Sequence, residues 1–142
     1  MPRILKTISV EDVRYLTHVL AQKMLAWDEP IPEFETRYPS VLEACIGTPF
    51  QTFDKKYFYK GLEEKAAVLF YCLIKNHPFQ NGNKRIAVTS LLVFLYLNKK
   101  WLKVDPVQLY NFAKWVAQSP PELRDEVLLA INKFINKNIE KI

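Results

Sequence analysis

Hydrophobic positions recur with helical spacing over most of the chain. Near the N-terminus they lie three or four residues apart: Val13, Leu16, Leu20, Met24 and Trp27. This spacing predicts an amphipathic helix from Ser9 to about Trp27, with Ser9 as its N-cap and an acidic residue three positions later. Two later segments, Leu62 to Lys75 and Ile86 to Leu97, are apolar on nearly every side. Because a helix that is apolar all round has to be buried, these two segments are predicted to form the centre of the fold.

Start and stop signals place the remaining helices. A short helix is predicted over residues 40–46, after a loop that three prolines interrupt. N-cap residues followed by proline predict further helices from Asp105 to about Gln118 and from Ser119 to about Lys137. We therefore expect an all-α protein of about six helices that forms a single domain over residues 1–142.

The segment from Thr48 to Tyr59 has a different pattern. Its aromatic and β-branched residues, among them Thr52 and Tyr57, have β propensity. Between them, Asp54-Lys55 can form a turn. A small hairpin and an irregular packed loop both fit this pattern.

A polar stretch from His77 to Arg85 joins the two central apolar segments. It combines an imidazole, amide side chains, a glycine and two cations. Gly82 permits a backbone turn that other residues resist, and a helix that opens at about Asn83 would direct free N–H groups and its positive dipole end towards the loop. This combination predicts an anion site, with His77 placed to accept a proton from a hydroxyl group. Taken singly, each residue also fits a capped polar turn between helices.

The same stretch resembles the motif of the Fic/Doc family, H-x-F-x-[D/N]-[G/A]-N-K/G-R. Seven positions match: His77, Phe79, Asn81, Gly82, Asn83, Lys84 and Arg85. The Asn-Lys-Arg ending is similar to the Doc, or death-on-curing toxin, branch of that family. The sequences Leu42-Glu43-Ala44, Pro49-Phe50 and 62–67 are also Doc-like, so the resemblance covers most of the chain.

The resemblance implies that part of ATP is transferred to a protein hydroxyl group, with Mg²⁺ as a cofactor. His77 would be the catalytic base. The nucleotide would be bound by five residues: Asn81, Gly82, Asn83, Lys84 and Arg85. Asn81 would also coordinate the metal ion. Because an amide oxygen is a weaker ligand than a carboxylate, binding of the ion would rely more on phosphates and water.

The family also has a flap beside the active site, which corresponds here to the Thr48 to Tyr59 segment. In this flap, Thr52 and Phe53 would present the target protein as an added strand through main-chain hydrogen bonds. The fold that the resemblance implies is the helical Fic/Doc domain with this flap, and Phe79 is expected to anchor the motif loop in the core.

Two departures from the adenylylating Fic pattern bear on the reaction. Lys84 stands where that pattern has a glycine, and Val88 stands where it has a second arginine. A site without that clamp, but with an added cation, favours the Doc-like reaction, which is transfer of the γ-phosphate to a Ser or Thr hydroxyl group. The Doc resemblance suggests a translation elongation factor as the target. AMP transfer of the Fic type and a non-catalytic binding module stay open as alternatives.

The charge and composition of the chain narrow the classes of molecule that it is expected to bind. The net charge is +5 over 142 residues, but the lysines are scattered and no arginine-rich run occurs, so nucleic acid is not the expected partner. The N-terminus from Met1 to Asp12 has no apolar segment typical of a signal peptide, and the apolar segment from Ile86 to Leu97 is too short to span a bilayer. These two features predict a cytoplasmic protein without a membrane partner. Cys45 and Cys72 are expected to be reduced core residues, and His18 to be structural.

Regulation is expected to come from a separate protein. The inhibitory motif that some family members carry within their own chain, S/T-x-x-x-E-G/N, is approached only by Thr7 to Asp12, where Glu11 fits an ordinary acidic residue of a first helical turn. The resemblance therefore implies a small antitoxin as a partner.

Overall fold

The structure is a computed structural model that describes residues 5–23 and 31–142. Over these residues the chain forms six helices and two small antiparallel sheets. The helices are α1 (Val10–Asp12, Val13–Thr17 in π geometry and His18–Lys23), α2 (Pro39–Gly47), α3 (Gly61–Lys75), α4 (Asn83–Leu97), α5 (Pro106–Gln118) and α6 (Arg124–Asn138). The strands are β1 (Thr52–Phe53), β2 (Lys56–Tyr57), β3 (Lys100–Leu102) and β4 (Ile139–Lys141). The predicted all-α architecture with a small hairpin is confirmed.

The first helix begins where the sequence predicts. Ser9 is its N-cap: its hydroxyl oxygen accepts a hydrogen bond from Asp12 N–H at 3.0 Å, and the Asp12 carboxylate accepts one from Ser9 N–H at the same distance. This reciprocal pair satisfies two backbone donors that the helix itself cannot. The remainder of the predicted helix, from Met24 to about Trp27, lies outside the described residues.

The two apolar helices, α3 and α4, pack along each other at the centre of the fold. Every residue from Ala66 to Ile74 is buried, and so is every residue from Arg85 to Leu95. The remaining helices pack around this pair, so the loop between α3 and α4 is held at one end of a rigid unit. The central placement of both helices is therefore confirmed.

The segment after α2 forms the hairpin rather than the irregular loop. Strands β1 and β2 pair antiparallel, with Thr52 opposite Tyr57. The two turn residues between them, Asp54 and Lys55, have φ values of 51° and 64°. These left-handed conformations are those of a type I′ turn, whose twist matches that of the paired strands.

The sequence pattern did not predict the second sheet. Strand β3 follows α4, and strand β4 follows α6, with Leu102 paired to Ile139. Helix α5 begins as predicted, with the Asp105 carboxylate accepting from Val107 N–H at 2.8 Å. Helix α2 begins at Pro39, one residue before the predicted start, with Tyr38 as its N-cap. The predicted start of the last helix at Ser119 is wrong, because Ser119 is the C-cap of α5 and α6 begins at Arg124.

Both cysteines are buried and free, as predicted for reduced core residues. Burial raises the pKa of the Cys45 thiol to about 12, and the nearby Cys72 adds to this effect. Among the helices of residues 5–23 and 31–142, we find none with both the length and the apolar character that crossing a bilayer requires.

Candidate active site

The polar stretch forms a short loop between α3 and α4, at one end of the central helix pair. Two of its residues point into the protein, since Pro78 is buried and Phe79 is 1% exposed. Phe79 contacts the rings of His18 and Phe34, with centroids 5.9 Å apart in both cases. Phe79 thus anchors the loop in the core, as the sequence analysis predicted.

The loop is also tied to the start of α2. Tyr38 N–H donates to the Pro78 carbonyl oxygen at 2.9 Å. His18 Nε2 lies 2.8 Å from the Pro32 carbonyl oxygen, and its ring is 6% exposed, so it joins α1 to the same segment. This contact supports the structural role predicted for His18. The importance of residues 31–38 for the loop was missed, since no local signal links them to it.

Position 82 requires glycine for two reasons, its backbone conformation and a close contact with a neighbouring side chain. It is the N-cap of α4 and lies in the left-handed region, with φ 76° and ψ 13°. A Cβ atom at this position would lie 2.7 Å from Ile31 Cγ1, closer than any normal contact. A side chain would therefore meet both conformational strain and a steric clash.

Asn83 braces the loop through its side-chain amide. Its Oδ1 accepts from Phe79 N–H at 2.9 Å, and its Nδ2 donates to the Phe79 carbonyl oxygen at 2.8 Å. The residue is 8% exposed, so both bonds are shielded from water. With its side-chain amide engaged in this way, Asn83 has only its backbone N–H left to offer to an anion at this helix end.

His77 presents its imidazole to solvent from a left-handed backbone conformation, with φ 51°. Its Nδ1 lies 3.4 Å from Asn83 Nδ2. Because an amide NH₂ group can only donate, a neutral His77 that accepts this bond carries its hydrogen on Nε2. Accepting a hydroxyl proton at Nε2 requires the other tautomer, and the long contact is weak enough to permit that exchange.

The two cations of the motif differ in accessibility. Lys84 is half-buried, whereas Arg85 is 2% exposed. The first backbone hydrogen bond of α4 runs from Ile86 N–H to the Gly82 carbonyl oxygen at 3.0 Å, so the N–H groups before it point out of the helix end. Of the two cations at this helix end, Lys84 is therefore the more accessible to solvent.

Two further positions bear on the predicted ligands. Asn81 is exposed, so its amide oxygen is accessible to a metal ion. In the described part of the chain, no three His, Cys, Asp or Glu side chains come together as a metal site. Val88 is fully buried, so the position of the second arginine in the adenylylating pattern does not face solvent here.

An apolar cavity lies away from the loop. It has a volume of about 520 Å³ and lies between α1, the far end of α4 and the start of α5, with Leu16, Leu92 and Trp101 among its lining residues. No residue from His77 to Arg85 lines it. The candidate active site is therefore the open end of the helix pair and not this cavity.

The family comparison decides what kind of loop this is. The Fic/DOC family model matches residues 7–95, which include α1, the hairpin, both central helices and the motif loop. The chain belongs to the Fic/DOC family. A curated relative in this family is the Toxin Doc of Mycolicibacterium smegmatis, which is 34% identical over 73 residues.

That alignment covers 51% of this chain, and the chain spans 56% of the length of the Doc relative. No solved structure matches the chain significantly. The family prediction is thus confirmed, and the similarity to a Doc toxin supports the Doc branch of this Fic/DOC protein.

Proposed function

We propose that this Fic/DOC protein is a Doc-like toxin that transfers the γ-phosphate of ATP to a Ser or Thr hydroxyl group of a target protein. The proposal rests above all on one arrangement: an exposed imidazole beside a helix N-terminus whose accessible cation is Lys84. In the reaction, the target hydroxyl oxygen attacks the γ-phosphorus. The bond to the β–γ bridging oxygen breaks, ADP leaves, and the hydroxyl proton passes to His77.

The residues of the loop support separate parts of this step. The N–H groups at the start of α4 and the Lys84 ammonium would stabilise the charge on the phosphates. The buried Val88 provides no clamp at the position where the adenylylating pattern has its second arginine. This difference favours a nucleotide bound with its γ-phosphate, and not its α-phosphate, towards His77.

Mg²⁺ is the metal ion that this chemistry implies. The exposed Asn81 amide oxygen is a suitable ligand for a hard cation, although a weaker one than a carboxylate. The ion would neutralise phosphate charge during transfer. Because Asn81 supplies one neutral oxygen, we propose that the nucleotide phosphates and water provide most of the coordination.

Two differently labelled ATP samples test the proposed reaction. The protein is incubated with a bacterial lysate and ATP labelled at either the α- or the γ-phosphate, with the His77→Asn variant as the control. We expect protein-bound label from γ-labelled ATP only, and none with the variant. Label from α-labelled ATP would instead establish AMP transfer, and no label from either sample would favour a non-catalytic module. If a labelled band appears, mass spectrometry of that band tests the proposed translation elongation factor.

We further propose that the target adds to the hairpin as a strand on the β1 edge. Phe58 N–H donates to the Gln51 carbonyl oxygen at 3.1 Å, which makes these two residues a hydrogen-bonded pair. Such pairs alternate with non-hydrogen-bonded pairs, so the next pair, Thr52 with Tyr57, directs its N–H groups away from the hairpin. Thr52 N–H is thus an outward donor, and both it and Phe53 are exposed.

The Thr52→Pro substitution tests this strand addition. It removes the outward donor but no hydrogen bond within the hairpin, and Gln51 already has the extended conformation that a following proline requires, with ψ 138°. We expect about a tenfold to hundredfold fall in protein labelling, with ATP affinity unchanged. The Thr52→Val variant keeps the N–H group and should label normally. Unchanged labelling by Thr52→Pro would rule out main-chain pairing at this edge.

We propose that a separate antitoxin controls the activity. The nearest approach to a built-in inhibitory motif, Thr7 to Asp12, serves another purpose, because Ser9 and Asp12 cap α1. We expect growth arrest when the chain alone is expressed in growing bacteria, and relief when the protein encoded by the neighbouring gene is co-expressed. Expression of His77→Asn at the same level is the control. Normal growth with abundant wild-type protein would contradict the proposal.

A further inference from the structure

Helix α3 carries a charged residue that the proposed reaction does not use. Lys65 is 2% exposed, on a helix whose other buried residues are hydrophobic. Burial lowers the pKa of its ammonium group, while the neighbouring Glu64 carboxylate acts in the opposite direction. Burial of an ammonium group costs free energy unless other polar groups replace its hydration shell. The groups that contact Lys65 therefore identify the part of the structure that this residue stabilises.

All the contacts of Lys65 that the structure records outside its own helix lead to the hairpin and its two ends. Nζ donates a hydrogen bond to the carbonyl oxygen of Tyr59, which follows β2. It lies 4.1 Å from the ring centroid of Tyr57 in β2, and 5.5 Å from that of Phe50, which precedes β1. One ammonium group therefore joins the entry, the second strand and the exit of the hairpin to α3.

The hairpin depends on such anchors, because it buries little of its own surface. Every residue from Gln51 to Phe58 is exposed, and an isolated two-stranded hairpin is only marginally stable in water. Other contacts hold its base: the Phe50 and Phe94 ring centroids lie 6.2 Å apart, and Arg124 donates to the Tyr59 hydroxyl oxygen at 3.0 Å. Of these groups, only Lys65 contacts both ends and a paired strand.

We propose that Lys65 is a positioning residue for the hairpin, which fixes the β1 edge in the place where the target strand adds. This inference rests on the proposed function for its link to transfer. Lys65 acts through Phe50, Tyr57 and Tyr59, and neither nucleotide nor target contacts it. Without the ammonium, the target has to order the hairpin when it binds, and that cost appears in the affinity for the target.

The chain offers a matched control on the same helix. Lys75 also directs its ammonium to backbone carbonyl oxygens, at 2.5 Å from Ser119 and 3.3 Å from Ala117, near the end of α5 and away from the hairpin. Lys75→Met therefore removes a comparable contact without releasing the hairpin. Lys65→Arg keeps a cation, and Lys60→Met removes an exposed charge next to α3, which controls for net charge near the target.

Amide hydrogen exchange tests the anchoring directly. We expect residues 51–59 to exchange at least about tenfold faster in Lys65→Met than in the wild type, while α3 and α4 stay protected. Lys75→Met should leave exchange in 51–59 unchanged, and Lys65→Arg should restore much of the protection. Since methionine suits an apolar core, the global stability of Lys65→Met should stay equal or rise. Equal exchange of 51–59 in wild type and Lys65→Met would overturn the proposal.

Kinetics test the consequence for transfer. We expect the KM for the target protein to rise about tenfold in Lys65→Met, with kcat and the affinity for ATP nearly unchanged, because only target binding pays for ordering the hairpin. Lys60→Met should keep the wild-type KM. A loosened hairpin with an unchanged KM would exclude the positioning role. If the wild type transfers no phosphate at all, the proposed function fails, and the exchange experiment still decides whether Lys65 holds the hairpin.

Discussion

The His77→Asn variant is expected to lose phosphoryl transfer by a factor of about a hundred or more and to keep its fold. Removal of a general base typically costs this much, and no other imidazole lies in the motif. The fold should survive because the ring is exposed and its one recorded hydrogen-bond contact is the long one to Asn83. Asparagine also tolerates the left-handed backbone at this position, where φ is 51°. Labelling with γ-phosphate-labelled ATP and thermal unfolding are the two measurements.

For the other histidine of the chain we expect the opposite behaviour, in which substitution lowers stability and not phosphoryl transfer. His18 is buried, its Nε2 lies 2.8 Å from the Pro32 carbonyl oxygen, and its ring contacts Phe34 and Phe79. We expect His18→Ala to lower the free energy of unfolding by about 2–4 kcal/mol, while the protein that stays folded at low temperature still transfers phosphate. Wild-type transfer by His77→Asn would exclude His77 as the catalytic base. A His18→Ala variant that is stable but inactive would contradict the structural role of His18.

The Gly82→Ala variant is expected to lose about 2–5 kcal/mol of stability and most of its affinity for ATP. Alanine at φ 76° costs about 1–2 kcal/mol, and its Cβ atom would lie 2.7 Å from Ile31 Cγ1, which adds about 1–3 kcal/mol of overpacking. Relief of the clash would move the start of α4, where the phosphates are proposed to bind. Urea unfolding and ATP titration measure the two effects.

Gly47 gives the matched control for this substitution. It lies in α2 with φ −77°, and a Cβ atom there would meet nothing within 4 Å. Gly47→Ala should therefore raise stability by about 0.5–1 kcal/mol. Comparison of the double variant Gly82→Ala/Ile31→Ala with Ile31→Ala alone isolates the backbone strain, since truncation of Ile31 removes the 2.7 Å contact and its own cost is common to both variants. If Gly82→Ala is as stable as the wild type, neither cost exists and the loop geometry described here is wrong.

Local sequence signals predicted most of the secondary structure. The Ser9–Asp12 capping pair, the Asp105 N-cap and the two apolar central helices all depend on residues within a few positions of each other. The turn at Asp54-Lys55 is local in the same way. By contrast, the β3–β4 sheet pairs Leu102 with Ile139, and no short-range pattern specifies such a distant partner.

In the motif loop, too, some features could be predicted from the sequence and others are seen only in the structure. The sequence predicted the loop, its helix N-terminus at Asn83, and its membership of the Fic/DOC family, which the family match confirms. It did not predict that the Asn83 amide binds the Phe79 backbone, or that Arg85 is 2% exposed while Lys84 is accessible. The identity of a side chain states which contacts it can make, whereas its surroundings decide which of them it makes.

Most helices, the motif and the family of this protein could be predicted from the amino-acid sequence, because periodicity and caps act over one or two helical turns. The choice of a hairpin over an irregular loop, and the residues that support the site, depend on tertiary contacts: Ile31 against Gly82, Tyr38 on Pro78, and Lys65 beneath the hairpin. These contacts join segments far apart in the sequence. They result from the packing of the other helices around α3 and α4, where close packing allows each side chain few conformations.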